Sequence, residues 1–316
     1  MALGDLGRRP VSASTDVRNE PDDTVVRIES DGIVLVGDLR APSGRDRRGA
    51  AVLLHGGGQT RHSWRRTARR LAGAGWAVLS LDLRGHGESG WAPDGDYLLD
   101  AHVRDLRAAV ERLGEPPVLV GASLGGMTSL LALGEDPGLA RGLVLVDVTP
   151  RTERTGTSAV TRFMRAGHDG FASLDAVADA VAAYNPHRPR PRDPAGLRKN
   201  LRHRDGRWYW HWDPRMVAER QTAPETLDLN ERRAVAAARS LRVPTMLVRG
   251  TGSDVVSRDG AREFLDLVPS AWYLEVEGTG HMVAGDDNDV FTGNLLAFLR
   301  HVAEDADGRA AGPERP

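Results

Sequence analysis

Apolar positions along the chain alternate between two periods. Thr24–Ser30 and Ile33–Leu39 are rich in β-branched residues and are separated by Asp31-Gly32, which predicts a hairpin. Ala50–Leu54, Ala77–Leu81, the run ending at Gly121, Gly142–Val146, Thr245–Val248 and Trp272–Val276 are short apolar stretches of the kind that form buried strands. Between them, the spacing becomes helical in Trp64–Ala72, Leu98–Leu113, Met127–Leu133 and Val290–Val302. In the second of these, Leu99, His102, Leu106, Val110 and Leu113 share one face. Strands alternating with helices predict the α/β class, with a mostly parallel sheet covered by helices on both faces.

The alternation fails between Thr149 and Leu241. Helical spacing survives there only in Ala159–Ala166, Leu174–Tyr184 and Ala234–Ser240, and four prolines between Pro186 and Pro194 mark a loop. This predicts a helical cap, residues 150–240, inserted into a core made of residues 23–149 and 241–303. The cap would lie over the C-terminal edge of the strands, where open α/β sheets bind ligands. Residues 1–22 and 304–316 read as flexible ends.

Within this frame, Ser123 is the centre of Gly121-Ala122-Ser123-Leu124-Gly125. An apolar strand leads in and a helical stretch leads out, the context in which a sharp turn lifts a serine Oγ above a sheet edge. Side chains at Gly121 and Gly125 would collide with the neighbouring strand and helix. A serine hydroxyl is a weak nucleophile and needs a base, which in turn needs a carboxylate to orient it. His281, in Gly278-Thr279-Gly280-His281, falls between the last strand and the last helix, where the base of a Ser…Asp…His order belongs. Asp254, in the loop after Thr245–Val248, is the expected acid. Asp147 also follows a strand and is its rival, with Asp259 third.

The developing oxyanion needs two backbone N–H donors. Leu124, after the nucleophile, is expected to supply one. The loop His55-Gly56-Gly57-Gly58-Gln59 is expected to supply the other, from Gly57 first and Gly58 next. A phosphate cradle is the alternative use of that loop, but both the Gly-Lys-Ser/Thr ending and the G-x-G-x-x-G spacing are missing.

The pieces HGGG at 55–58, DLRGHGES at 82–89, GASLGG at 121–126, the Asp254 loop and GTGH at 278–281 together resemble the α/β-hydrolase superfamily over residues 24–303. Asp82, Arg84, Gly85 and Gly87 correspond to a structural loop of that family. The resemblance implies two-step hydrolysis of a carboxylic ester through an acyl-enzyme, with no metal and no organic cofactor. Branches of the superfamily that attack alkyl carbons use aspartate at the nucleophile position, so Ser123 favours acyl chemistry. Lactone hydrolysis, carbon–carbon bond hydrolysis and cofactor-free perhydrolysis use the same triad and stay open, as does a non-catalytic ligand receptor on this fold. The start HGGGQTRHSW and the Arg-rich cap are also similar to bacterial hydrolases of monoalkyl phthalates, whose substrates carry a free carboxylate.

Composition narrows the partners. The formal net charge is −2, which gives no reason to expect nucleic acid or an anionic membrane surface, and there is no cysteine for disulfides or thiolate chemistry. No apolar run approaches a membrane span, and the N-terminus lacks a secretion signal, so a cytoplasmic protein acting on a small molecule is expected, with self-association left open. Basic residues are 41 Arg and the single Lys199. Arg61 and His62, beside the glycine loop, and Arg188, Arg190 and Arg192 are candidates to hold a substrate carboxylate. In Trp208-Tyr209-Trp210-His211-Trp212, an extended backbone would put the tryptophans on one face, and Trp208 and Trp210 would then line an apolar or aromatic pocket or anchor the cap.

Overall fold

The computed structural model describes residues 23–43, 47–184, 190–281, 283 and 289–306. The expected arm 1–22 therefore lies outside the described residues, as do Arg188 and most of the expected tail. The helix expected to end at Val302 runs on to Ala306, so the first residues of that tail are helical.

In chain order the elements are β1 (Asp23–Ser30), β2 (Ile33–Arg40), β3 (Gly49–Leu54), α1 (Arg65–Gly73), β4 (Trp76–Leu81), α2 (Leu99–Leu113), β5 (Val118–Ala122), α3 (Leu124–Glu135) and β6 (Gly142–Val146). After these come α4 (Arg154–Arg165), α5 (Leu174–Tyr184), β7 (Leu201–Arg204), β8 (Arg207–Trp210), α6 (Glu219–Thr222) and α7 (Pro224–Ser240). The chain then forms β9 (Thr245–Gly250), α8 (Arg258–Leu267), β10 (Trp272–Val276) and α9 (Asp289–Ala306). The main sheet has eight strands in the order β1-β2-β4-β3-β5-β6-β9-β10. The β1–β2 hairpin joins antiparallel to β4, and all neighbours from β4 to β10 run parallel.

Burial explains the sequence pattern. β3, β4, β5, β6 and β9 are buried along their whole length because helices cover both faces of the sheet. On one face α2, α3, α7 and α8 pack around Leu106, Leu131, Leu145 and Phe264. On the other, α1 and α9 pack around Trp64, Leu71, Phe291 and Phe298. α2 stops at Gly114, whose φ of +73° is the left-handed cap that glycine adopts without strain.

Several elements depart from the sequence reading. β7 and β8 form a separate two-stranded sheet within the segment expected to be a helical cap, and α8 was not anticipated. α7 is longer than the expected Ala234–Ser240, and its C-terminal half belongs to the core: a Cβ on Gly134 of α3 would meet Ala237 at 2.4 Å. The segment after β6 therefore rejoins the core within α7. Its own apolar cluster gathers Val177, Trp210, Trp212 and Met216 with Tyr97.

Candidate active site

Ser123 occupies the turn between β5 and α3 with φ 46° and ψ −112°, a conformation that L-residues rarely adopt. The crowding expected at the flanking glycines is present. A Cβ on Gly121 would lie 2.4 Å from Gly126 N, and one on Gly125 would lie 2.6 Å from Leu54. Ser123 N–H donates to Val146 O at 3.1 Å, which ties the turn to β6. Leu124 is the first residue of α3, so its N–H has no acceptor within the helix.

His281 follows β10, and its ring Nδ1 lies 2.7 Å from Asp147 Oδ2. This corrects the expected pairing, because the carboxylate beside His281 is Asp147 at the end of β6 and not Asp254. The reason is the shape of the β9 loop. β9 continues to Gly250, and a tight turn, Ser253 N–H to Gly250 O at 3.0 Å, then points Ser253 inward and leaves Asp254 exposed. The Asp254 carbonyl instead packs against Gly156 of α4, and Asp259 is an exposed residue of α8. The loop still serves the inner carboxylate. Gly250 N–H donates to Asp147 Oδ1 at 3.0 Å, and Ser253 Oγ–H donates to Asp147 Oδ2 at 2.5 Å. Asp147 itself has φ +51° and is fully buried. A Cβ on Gly250 would meet Gly280 O at 2.5 Å, so glycine there lets the His281 loop approach. Gly252 N–H donating to Thr279 O at 2.9 Å pins the two loops together.

On the other side of Ser123 the glycine loop is held by histidines. Gln59 N–H closes a turn onto Gly56 O at 3.1 Å, and Gln59 Oε1 accepts Gly56 N–H at 2.9 Å. Gly58 N–H donates to His86 Nε2 at 3.0 Å, so the second expected oxyanion donor is already engaged. The Gly57 N–H has no acceptor among the described residues. Backbone donors set the tautomers. Leu83 N–H donates to His55 Nε2 at 3.0 Å, so His55 Nδ1 carries the proton and donates to Gly56 O at 2.8 Å. His86 likewise donates from Nδ1 to Arg84 O at 3.1 Å. His211, from the inserted segment, accepts Gly87 N–H on Nδ1 at 2.8 Å. Burial pushes His55 and His211 down to about 3 and holds His86 well below its ordinary value, so all three are neutral near pH 7.

Two lobes of one cleft meet at Ser123 and His281. The larger, about 870 Å³, is walled by Phe163, Tyr184, Trp210 and Trp212 and rimmed by His62, Arg65 and Lys199. Phe163 stacks on Tyr184 at 4.3 Å and Trp210 on Trp212 at 4.7 Å. Burial pushes the Tyr184 hydroxyl up to about 12, and the Asp254 and Asp147 carboxylates add to it. The smaller lobe, about 290 Å³, lies between α2, α4 and α6.

The candidate specificity residues divide. Trp210 and His62 line the larger lobe, whereas Trp208 lines neither lobe and lies under Arg198 with 5.4 Å between guanidinium and ring. Arg61 is buried and held by Asp38 at 2.9 Å, Asp82 at 2.5 Å and Glu88, so it is scaffold and not a carboxylate clamp. Arg190 pairs with Asp175 and Asp179 on the surface. Among the described residues no cluster could hold a metal ion, and no helix is long and apolar enough to cross a membrane.

Known proteins resemble this chain in sequence and in fold. A family model described as the alpha/beta hydrolase fold matches residues 50–287. Esterase Rv0045c of Mycobacterium tuberculosis is 32% identical over 247 residues, covering 74% of this chain and 77% of the esterase. A solved structure of that esterase superposes with a TM-score of 0.65 at 29% identity, over 90% of this chain and 93% of the other. The 3-hydroxybutyrate-oligomer hydrolase of Cupriavidus necator is 25% identical, covering 73% of this chain and 81% of its own. The structure of E-2-(acetamidomethylene)succinate hydrolase gives a TM-score of 0.75 over 88% of this chain and 99% of its own, at 23% identity, which speaks to fold alone.

Proposed function

Given that the chain belongs to the alpha/beta hydrolase fold family and is a hydrolase of the esterase type, we propose that it cleaves small carboxylic esters through a Ser123–His281–Asp147 triad. The observation that carries this reading is the 2.7 Å contact between His281 Nδ1 and Asp147 Oδ2, in a cleft that Ser123 and His281 share.

The reaction runs in two halves. Ser123 Oγ attacks the ester carbonyl as His281 Nε2 takes its proton, and the carbonyl oxygen becomes an oxyanion. The Gly57 and Leu124 N–H groups donate to that oxyanion, and the engagement of Gly58 N–H by His86 supports Gly57 over Gly58 as the loop's donor. Asp147, fixed by Gly250 and Ser253, keeps the proton on Nδ1 and stabilises the imidazolium. His281 then protonates the leaving alkoxide as the C–O bond breaks. Water repeats the cycle on the acyl-enzyme and releases the carboxylic acid.

The inserted segment acts as a cap, and its aromatic wall favours an apolar or aromatic group in the larger lobe. A phthalate monoester fits that wall, but its carboxylate would have to be met by Arg65, His62 or Lys199 because Arg61 is committed to its carboxylates. Turnover of p-nitrophenyl esters by Ser123→Ala protein tests the assignment. The variant is expected to lose roughly 10⁴-fold or more in kcat. Near-wild-type turnover would remove Ser123 from the chemistry.

A further inference from the structure

His102 has no part in the reaction above, yet it lines the smaller lobe alongside Ser123 and His281. It sits on the buried face of α2 with 1% exposure, and neither of its ring nitrogens has a hydrogen-bond partner among the described residues. Even a neutral imidazole presents one donor and one acceptor. Burying both unpaired is costly, so such a ring calls for a partner that enters the lobe. Neighbouring polar groups do not supply one. The Tyr97 hydroxyl donates to Asp213 at 2.6 Å and accepts Ala92 N–H at 2.9 Å. The Arg84 guanidinium is matched by Asp105 at 2.7 and 2.8 Å.

A second unpaired atom lines the same lobe. Gln221 Nε2–H donates to Gly95 O at 3.1 Å, while its Oε1 is buried without a partner among the described residues. The rest of the wall near α2 and α3 is apolar, with Leu99, Met127, Val148 and Met216. The charged lining residues Arg154 and Glu231 are already paired with Asp228 and Arg151, so a lobe of about 290 Å³ with these walls disfavours an ion. Burial also holds His102 neutral, and the nearby Arg84 charge is already matched.

We propose that the smaller lobe is a binding site for an uncharged, oxygen-bearing group of the substrate, a hydroxyl or keto function hydrogen-bonded by His102 with Gln221 as second partner. The substrate is then an oxygenated ester and not a plain alkyl one. This rests on the esterase reading of Ser123, which sets what lies in the lobe.

The test compares hexanoate p-nitrophenyl esters with their hydroxy- and oxo-hexanoate counterparts, and ethyl benzoate-type esters with counterparts hydroxylated in the alcohol. Each ratio of kcat/KM is read within one protein, so loss of folded material cancels. The wild type is expected to favour the oxygenated member about 10-fold in one series, the effect of one neutral hydrogen bond. His102→Leu should bring that ratio to about one, and His102→Asn should restore part of it. A wild-type ratio near one in both series, or a ratio unchanged by His102→Leu, overturns the proposal. Calorimetric binding of the same pairs to Ser123→Ala protein separates the two readings. An intact binding preference without wild-type turnover sinks the esterase reading alone, and turnover without a preference sinks the proposal alone.

Discussion

The two sides of Ser123 are held by groups of different electrical character. On the β6–β9 side a fully buried carboxylate, Asp147, accepts from Gly250, Ser253 and the His281 ring. On the β3–β4 side the glycine loop rests on neutral imidazoles, with His86 accepting Gly58 N–H and His55 donating to Gly56 O. The difference teaches what each side is for. A fixed negative charge is useful where an imidazolium forms. Uncharged acceptors suit the loop because they orient peptide groups while leaving the Gly57 N–H to meet a developing oxyanion.

The comparison breaks most sharply at the carboxylates. Asp147→Asn is expected to lower kcat by about 10⁴-fold, because an amide favours the wrong His281 tautomer. Asp254→Asn, at an exposed loop position, should stay within about 3-fold in the same steady-state assay. The reverse ranking would return the acid to the β9 loop.

A smaller effect is expected on the neutral side. His86→Phe removes the acceptor for Gly58 N–H, and misplacing one oxyanion donor costs at most about 10²-fold in kcat. The loss should appear in kcat with KM little changed, and His86→Gln, which keeps an acceptor, should recover part of it. An equal change in KM would make His86 a mere packing residue.

The last difference is thermodynamic. His55 and His211 fall from an ordinary value of 6.5 to about 3 through burial. Between those values the unfolded chain binds protons that the folded protein does not, so stability is full above about pH 6.5 and is lost as pH falls toward 3. At pH 5 each ring should remove about 2 kcal/mol relative to pH 7. Denaturant melts from pH 7 to pH 4 check this, and a flat profile would mean that the rings are not buried neutral.

Much of this was legible in the sequence. Buried strands read as continuous apolar runs, and Gly121-Ala122-Ser123-Leu124-Gly125 states its own turn because the glycines sit where a Cβ would collide. The sequence reading ranked Asp254 above Asp147, and the structure reverses that order: each follows a strand, and only the course of the β9 loop decides between them. Ser253 was missed because a hydroxyl next to an aspartate carries no signal of its own. Arg61 looked like a clamp from its place beside the glycine loop, but its buried partners Asp38, Asp82 and Glu88 come from three separate stretches. Of the tryptophan cluster, Trp210 and Trp212 stack on one another in the pocket wall, whereas Trp208, on the same face of β8 as Trp210 and packed against the same apolar cluster, lies under Arg198 and outside both lobes.

Proton NMR of the His281 Nδ1–H tests the central pairing most directly. A proton shared with a carboxylate gives a far-downfield resonance, which should appear in the wild type and in Asp254→Asn and vanish in Asp147→Asn. Its survival in Asp147→Asn, or its loss in Asp254→Asn alone, would contradict the account.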